Sequence, residues 1–172
     1  MSERKAGRRA GIGMLVLCWI VLLALAMFWF RDLEQHRQNP NADLASLTVD
    51  HQPVQLKRNA YGHFVAPGDI DGHAVTFLVD TGATYVSLSR NLADALKLEP
   101  GPEVTFTTAN GRVSGHLTTL DSVTLGGLRS RHVPGSIHDG FDDDTVLLGM
   151  SFLGRYDIRI RGDEMVVAPA TR

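Results

Sequence analysis

The chain has 172 residues, of which 17 are lysine or arginine and 19 are aspartate or glutamate, giving a formal net charge of −2. This length suits one domain with an appendage, and the near balance of charge gives no indication of a nucleic acid or an acidic polymer as partner. Cys18 is the only cysteine, which excludes a disulfide within the chain.

An uncharged stretch near the N-terminus, residues 10–30, predicts a membrane-spanning helix. It has no charged residue over 21 positions, and a helix of that length spans about 30 Å, close to one hydrocarbon core. Four basic residues precede it within 1–9, whereas only Arg31 follows it directly. This charge asymmetry predicts that residues 1–9 are cytoplasmic and that the rest of the chain crosses the membrane. We therefore expect a single-pass anchor in the inner membrane, with the later domain periplasmic or otherwise extracytoplasmic.

A cleaved signal peptide is the alternative interpretation of this stretch. Ala24-Leu25-Ala26 has the small-x-small form of a cleavage site. However, the bulky residues 27–30 would then follow the cut at once, and the apolar stretch is longer than a usual signal core. The pattern therefore favours an anchor.

The polar segment 31–50 predicts a juxtamembrane linker between the anchor and a folded domain. It carries Asn-Pro-Asn at 39–41, a combination typical of turns and loops. The remaining residues, 51–172, are mostly strand-like in pattern and are predicted to form the domain.

Most of the domain is predicted to be β-structure. Strands are predicted at 54–57, 63–66, 69–70, 73–79, 85–88, 104–108, 113–120, 122–125, 128–133, 146–148, 157–160 and 165–167. A helix is predicted at 90–98 with Ser89 as its N-cap, and a brief second helix at 150–156. Residues 138–144 are predicted to be an acidic loop. About ten short strands with one real helix indicate an all-β, barrel-like domain.

Three sequence features occur in a fixed order within this domain. FLVDTGAT (77–84) delivers Asp80 from an apolar strand into a turn, TTANGRVSG (107–115) predicts a hairpin with an Asn-Gly tip, and VLLGMSFLGRYD (146–157) places a glycine after an apolar run. Together they resemble the retropepsin-like aspartic peptidases, in particular the bacterial membrane-anchored members. The resemblance covers residues 52 to about 168 and implies an all-β, retropepsin-like closed barrel with one short helix, preceded by the transmembrane helix.

The resemblance implies an aspartic endopeptidase. In this chemistry two carboxylates about 3 Å apart share one proton, so that one activates water and the other donates to the substrate carbonyl. The chain supplies a single Asp-Thr-Gly, so the family pattern implies a homodimer in which Asp80 of each subunit contributes to one dyad. No cofactor is implied, and the partners are a protein or peptide substrate, a second copy of the chain and the membrane.

The resemblance also assigns supporting roles. Around Asp80 it implies that Thr81 bonds across the dimer, that Gly82 permits the turn, and that Ala83, in place of the serine frequent in pepsin-like enzymes, extends activity towards neutral pH. The remaining active-site support would come from Thr84, Leu147, Leu148 and Gly149, and the flap over the substrate from Thr108, Ala109, Asn110, Gly111 and Arg112. Met150 follows Gly149 where viral members often have arginine, and the hairpin 157–167 is longer than a simple interdigitating dimer strand, so a different dimer contact is expected.

Several other interpretations of these residues remain open. Asp80 could be an ordinary turn residue, and the fold could bind peptides or assist assembly in the cell envelope without cleaving them, or merely dimerise envelope proteins. A haloacid-type phosphatase needs a second aspartate two residues on, where this chain has Gly82. Metal-binding residue types gather late in the chain, but their spacing fits no standard ligand set, so no metal is expected; these are His132, His138, Asp139 and residues 142–144.

Overall fold

The structure is a computed structural model that describes residues 3–46, 52–108, 111–139 and 145–170. The chain divides into two compact units, one ending at Arg37 and the other running from Gln38 to Arg172. Helix α1, Glu3–Gln38, accounts for the described residues of the first unit, and its last residue is counted in the second. Within the described part of the chain, Gly13–Gln38 is long and apolar enough to cross a membrane, a property that N-terminal signal sequences share.

The second unit is built almost entirely from strands. The strands are β1 Val54–Lys57, β2 Phe64–Ile70, β3 His73–Val79, β4 Val86–Ser89, β5 Glu103–Thr108, β6 Gly111–Leu125, β7 Leu128–His138, β8 Thr145–Leu148, β9 Tyr156–Arg161 and β10 Glu164–Pro169. Two short helices, α2 (Arg90–Ala95) and α3 (Met150–Leu153), and a 3₁₀ turn at Ala42–Ser46 complete it. The predicted all-β class is therefore confirmed.

The strands form two sheets. The larger has the order β2-β3-β8-β4-β7-β6-β5, and an additional pairing of β2 with β6 links the two ends of a six-strand path. In that path β3 runs parallel to β8 and β4 parallel to β7, while the other pairings are antiparallel. The smaller sheet has the order β1-β10-β9. Side chains from both sheets and both short helices form one core, in which Phe77, Phe152 and Leu56 are among the largest fully buried residues.

Several predicted boundaries are corrected by the structure. The breaks predicted near Pro67 and Asp121 do not occur, because β2 and β6 each continue as one strand. Pro67 is tolerated because β6 pairs with β2 only from Gly68 onward, so its missing N–H faces no second neighbour. His138 ends strand β7 rather than opening a loop.

The helices are shorter than the sequence pattern predicted. Helix α2 ends at Ala95 instead of reaching residue 98, because Lys97 adopts a left-handed conformation (φ 57°) just after its C-cap. Ser89 is the N-cap, as predicted, and its hydroxyl accepts a hydrogen bond from Leu92 N. The predicted helix at 150–156 ends at Leu153, and β9 begins at Tyr156.

In the segment 31–50, predicted as a linker, the structure describes residues 31–46. Helix α1 continues through Gln38, and the residues from Gln38 onward belong to the compact β unit. The buried side chain of Asn41 donates to the carbonyls of Lys57 and Val65 at 2.9 and 2.7 Å and accepts from Lys57 N at 2.8 Å. Asn41 therefore ties β1 to β2, and Leu44 packs against the core beside it.

Replacing Asn41 with alanine should destabilise the β unit by about 2 kcal/mol, because buried backbone groups of Lys57 and Val65 would lose their partner. Urea denaturation of the full chain in detergent would measure the change. The control is Gln52→Ala at an exposed position, which should change the free energy of unfolding by no more than about 0.5 kcal/mol. Equal effects of the two substitutions would contradict the assigned role of Asn41.

Candidate active site

Asp80 lies at the point where β3 leaves the large sheet. β3 pairs in parallel with β8, with Val79 opposite Leu148, and the N–H of Asp80 donates to the Leu148 carbonyl at 3.1 Å. Phe77, Val79 and Leu148 are buried. The apolar residues before Asp80 therefore anchor it to the core, which fixes the position of the carboxylate.

The chain then turns through the active-site loop, residues 80–84. The N–H of Gly82 donates to Asp80 Oδ1 at 2.8 Å, and the N–H of Ala83 donates to the Asp80 carbonyl at 3.3 Å. Asp80 is half-buried, whereas Thr81, Gly82 and Thr84 are exposed. The loop thus holds the carboxylate against the sheet while its outer surface stays open to a partner or substrate.

The start of α3 supports this loop from the other side. Met150 N donates to the Ala83 carbonyl, and Ser151 N donates to the Thr84 carbonyl, both at 2.8 Å. The Ser151 hydroxyl in turn accepts from Val86 N at 3.0 Å. Ser151 was not among the residues predicted for the site. The one sequence signal that could have indicated its role is its position two residues after Gly149.

Gly149 is required by close approach of the backbone. A Cβ on this residue would lie 2.2 Å from the Tyr85 carbonyl oxygen and 2.8 Å from that of Ala83. Leu147 and Leu148 precede it in β8, half-buried and buried respectively. The structure therefore brings Leu147, Leu148 and Gly149 together with the active-site loop.

The hairpin predicted as the flap is formed by β5 and β6. Their pairing runs from Glu103 opposite His116 up to Thr108 opposite Gly111, with Arg112 exposed opposite Thr107. Gly111 has a positive φ of 113°, a conformation that favours glycine. Ala109 and Asn110 lie outside the described residues, so their predicted place at the tip stays a prediction.

Three rings, which we call the aromatic column, connect the active-site loop to the flap arm. Tyr85, directly after the loop, meets Phe106 of β5 edge-to-face at 6.0 Å between centroids, and Phe106 meets His138 of β7 at 4.7 Å. Gly115 of β6 lies opposite His138, and a Cβ there would come within 2.7 Å of His138 Nδ1. No sequence pattern indicates this column, because its three members are far apart in the chain.

A buried polar chain continues from the column through side chains of β7 and β4. His138 Nε2 lies 2.9 Å from Ser136 Oγ, which lies 2.9 Å from Ser87 Oγ. All three side chains are buried. Desolvation lowers the pKa of His138, an effect that the nearby charge of Asp139 opposes.

Asp139 pairs with Arg90 of α2. Its carboxylate accepts a hydrogen bond from Arg90 Nε at 2.5 Å, and this bond lowers the pKa of Asp139 and raises that of Arg90. Within the described ranges, no group of three or more His, Cys, Asp or Glu side chains is placed to hold a metal ion. Residues 142–144 of the acidic cluster lie outside those ranges.

Known proteins resemble the chain over the same region. The sequence profile of the family described as "gag-polyprotein putative aspartyl protease" matches residues 66–155. A retropepsin-like aspartic protease from Rickettsia conorii is 31% identical with a TM-score of 0.56, and the match covers 67% of this chain and 89% of that one.

Two curated relatives are both named as uncharacterized proteins. One, from the cobV 5′ region of a Sinorhizobium species, is 33% identical over 118 residues, covering 66% of this chain and 51% of that protein. The other, from Rickettsia prowazekii (strain Madrid E), is 30% identical over 118 residues, covering 66% of this chain and 50% of that protein. The chain thus spans about half the length of these relatives.

Replacing Gly149 with alanine should displace the active-site loop, because the added methyl group overlaps the carbonyls of Ala83 and Tyr85. We expect a loss of roughly 3 kcal/mol or more in the free energy of unfolding, measured by urea denaturation. Gly162→Ala is the control, since Gly162 has open space but a left-handed backbone (φ 55°), and it should cost only about 1 kcal/mol. A Gly149 variant as stable as the control would show that the loop can move aside.

The stability of the β unit should fall as the pH drops below about 6.5, the pKa of an unfolded histidine. Because the pKa of His138 is lowered in the fold, the unfolded chain binds more protons in that range, and acid therefore favours unfolding. The His138→Gln variant should lose part of this pH dependence, whereas His63→Gln, at an exposed position, should keep it. Denaturation midpoints between pH 5 and 8 are the measurement; identical profiles for the two variants would refute the assignment.

Proposed function

We propose, from the premise that this chain belongs to the retropepsin-like aspartic protease family, that it is an aspartic endopeptidase. Its catalytic group is the Asp80 carboxylate, and the active unit is a homodimer that places two such carboxylates side by side. The proposal is carried by the way Asp80 is held in place. Backbone hydrogen bonds connect Asp80 to β8 and the residues after it to the start of α3.

The homodimer follows from the chemistry and from the single Asp-Thr-Gly of this chain. Peptide hydrolysis by carboxylates needs one base and one acid, and one motif can provide both only when a two-fold axis repeats it. Thr81 and Gly82 are exposed beside Asp80, where a second copy can approach. Thr81 is assigned the contact across the dimer, and Thr84 closes the loop through its carbonyl bond to Ser151.

The dyad would work by sharing a single proton. The ionised carboxylate takes a proton from water as the water oxygen bonds to the scissile carbonyl carbon, and the protonated carboxyl donates to the carbonyl oxygen. The resulting tetrahedral intermediate collapses when the peptide nitrogen receives a proton and the C–N bond breaks. The products are a carboxylic acid and an amine, and no cofactor takes part.

The substrate would lie extended between the active-site loop and the flap. A peptide in that cleft can pair its backbone with strand edges, so main-chain hydrogen bonds provide affinity and side-chain pockets provide selectivity. The flap assignment covers residues 108–112, of which Arg112 is exposed on β6. Closure of the flap would exclude water other than the nucleophile.

The proposed location is the inner membrane. Helix α1 would serve as the anchor, with the N-terminus in the cytoplasm and the β unit outside it, as the charge asymmetry indicates. Two copies held in one membrane meet at raised local concentration, which would favour even a weak dimer.

Asp80→Asn should reduce peptide cleavage by the full chain in detergent by at least about 10³-fold, because the dyad loses its base. The matched control is Asp121→Asn, at an exposed carboxylate of β6, which should cleave at the wild-type rate. Cleavage of a mixed peptide library between pH 4 and 8, read by mass spectrometry, is the measurement.

The same assay tests the non-cleaving alternative. If the wild-type protein binds peptides and is dimeric yet cuts none of the library, it is a binding or assembly module rather than a peptidase. A strictly monomeric protein that still cleaves with Asp80 would contradict the two-fold dyad.

A further inference from the structure

The aromatic column and the buried polar chain both end on Tyr85. Along the column, the Tyr85 ring contacts Phe106 of β5, which in turn contacts His138 of β7. Along the polar chain, His138 Nε2 is joined through Ser136 Oγ to Ser87 Oγ. The Ser87 hydroxyl then donates to the Tyr85 carbonyl at 3.4 Å. The contacts therefore form a closed ring, in which His138 joins the aromatic half to the polar half.

Tyr85 is the fixed end of this ring of contacts. Its carbonyl is packed so closely against Gly149 that a Cβ there would lie 2.2 Å away, and Val86, the next residue, is fully buried at the start of β4. Phe106 is the end that can move, because β5 is the outer strand of the large sheet and pairs with β6 alone among the described strands. The half-buried Phe106 ring, in contact with Tyr85 and His138, therefore holds this arm of the flap hairpin against the active-site loop.

Hydrogen counting along the polar chain assigns the tautomer of His138. The Ser87 hydroxyl has one hydrogen, which it donates to the Tyr85 carbonyl, so Ser87 Oγ accepts from Ser136. Ser136 then has no further hydrogen, and its Oγ accepts from His138 Nε2–H. Neutral His138 thus takes up a second proton at Nδ1, the atom that faces Gly115 of β6. The added charge appears against the strand that pairs with β5.

Burial makes that charge unstable where it forms. Charged or titratable groups near His138 on the described elements around it are Asp139, Arg90 and Asp94 of α2, His116 of β6, Glu103 of β5 and Tyr85. Desolvation lowers the pKa of His138, and the charge of Asp139 opposes this effect, so the ring is neutral at neutral pH. Asp139 is already paired with Arg90. An imidazolium therefore gains most by moving outward, where it regains water and competes with Arg90 for the carboxylate, and this movement takes it away from Phe106.

We propose that neutral His138 is the positioning residue that holds β5 over the active-site loop, and that its protonation releases this arm of the flap. Peptide binding then weakens in acid through β5, separately from any titration of the Asp80 dyad. The effect on peptides rests on the proposed function, whereas the release of β5 is a property of the folded chain. A merely structural histidine would alter stability without linking peptide affinity to a proton.

A nitroxide at position 107 reports the release of β5 without a substrate. Thr107 is exposed next to Phe106, and replacing Cys18, the only cysteine, with serine makes Thr107→Cys the single labelling site. In the full chain in detergent, the mobile component of the spin-label spectrum should increase from about pH 7.5 to about pH 5.5. His138→Gln should abolish this increase, because a glutamine amide can still donate to Ser136 but does not ionise.

His116→Gln is the matched control. His116 is a neighbouring histidine, half-buried on β6 opposite Ile137 of β7, and its charge acts on the pKa of Asp139. The label should keep its pH response in this variant. Phe106→Leu separates coupling from titration, since His138 still ionises but the ring contacts are lost. In that variant the label should be mobile at every pH.

Peptide affinity is the second measurement. The probe is a rhodamine-labelled peptide from the library that the wild type cuts, bound to the Asp80→Asn variant so that it stays intact, and followed by fluorescence anisotropy. Linkage to one proton should raise the dissociation constant by up to about tenfold per pH unit below the pKa of His138. Adding His138→Gln should keep the constant level over this range, and adding Phe106→Leu should raise it about fivefold at every pH.

The outcomes separate the positioning role from the chemistry. A label response that persists in His138→Gln, or that is lost in His116→Gln instead, would overturn the inference even if the wild type cleaves peptides. A response that depends on His138 in a protein that cuts nothing would support the positioning role and remove the peptidase function. Should His138→Gln lack the wild-type far-UV circular dichroism spectrum, Phe106→Leu decides. A label that is mobile at neutral pH in that variant supports the inference, and an immobile one overturns it.

Discussion

The parallel pairing of β3 with β8 is the constraint on which the rest of the site depends. It delivers Asp80 and Gly149 to the same end of the sheet, where the Asp80 N–H bonds to the Leu148 carbonyl. The loop that follows is then held by α3, and α3 leads directly into β9. Parallel strands require a long crossover, and here the 65 residues 80–144, which include the flap arms, connect β3 to β8.

The sequence predicted the local parts of this arrangement better than the distant ones. The apolar run before Asp80, the Ser89 cap and the hairpin of β5 and β6 were predicted because each depends on neighbouring residues. The family resemblance, confirmed over residues 66–155, supplied the link between Asp80 and Gly149.

What the sequence did not predict depends on contacts between remote segments. The Asn-Pro-Asn at 39–41 is typical of a loop, yet Asn41 is buried because the backbone of β1 and β2 offers it three partners. Tyr85, Phe106 and His138 show no shared pattern along the chain, and only the register of β6 against β7 puts Gly115 beside His138. Some strands were predicted too short. Pro67 suggested a break, but the pairing of β2 with β3 keeps the strand continuous through it.

The burial of Asn41 has a consequence for proteolytic cleavage between helix α1 and the β unit. A cut before Gln38 would leave the Asn41 bonds intact. A cut only a few residues later would remove that side chain, leave Lys57 unpaired and open the edge of β1 to unwanted strand addition. Within residues 38–41, the position of a cut therefore decides the outcome. A cut before Gln38 keeps the edge of β1 covered, whereas a cut after Asn41 exposes it to aggregation.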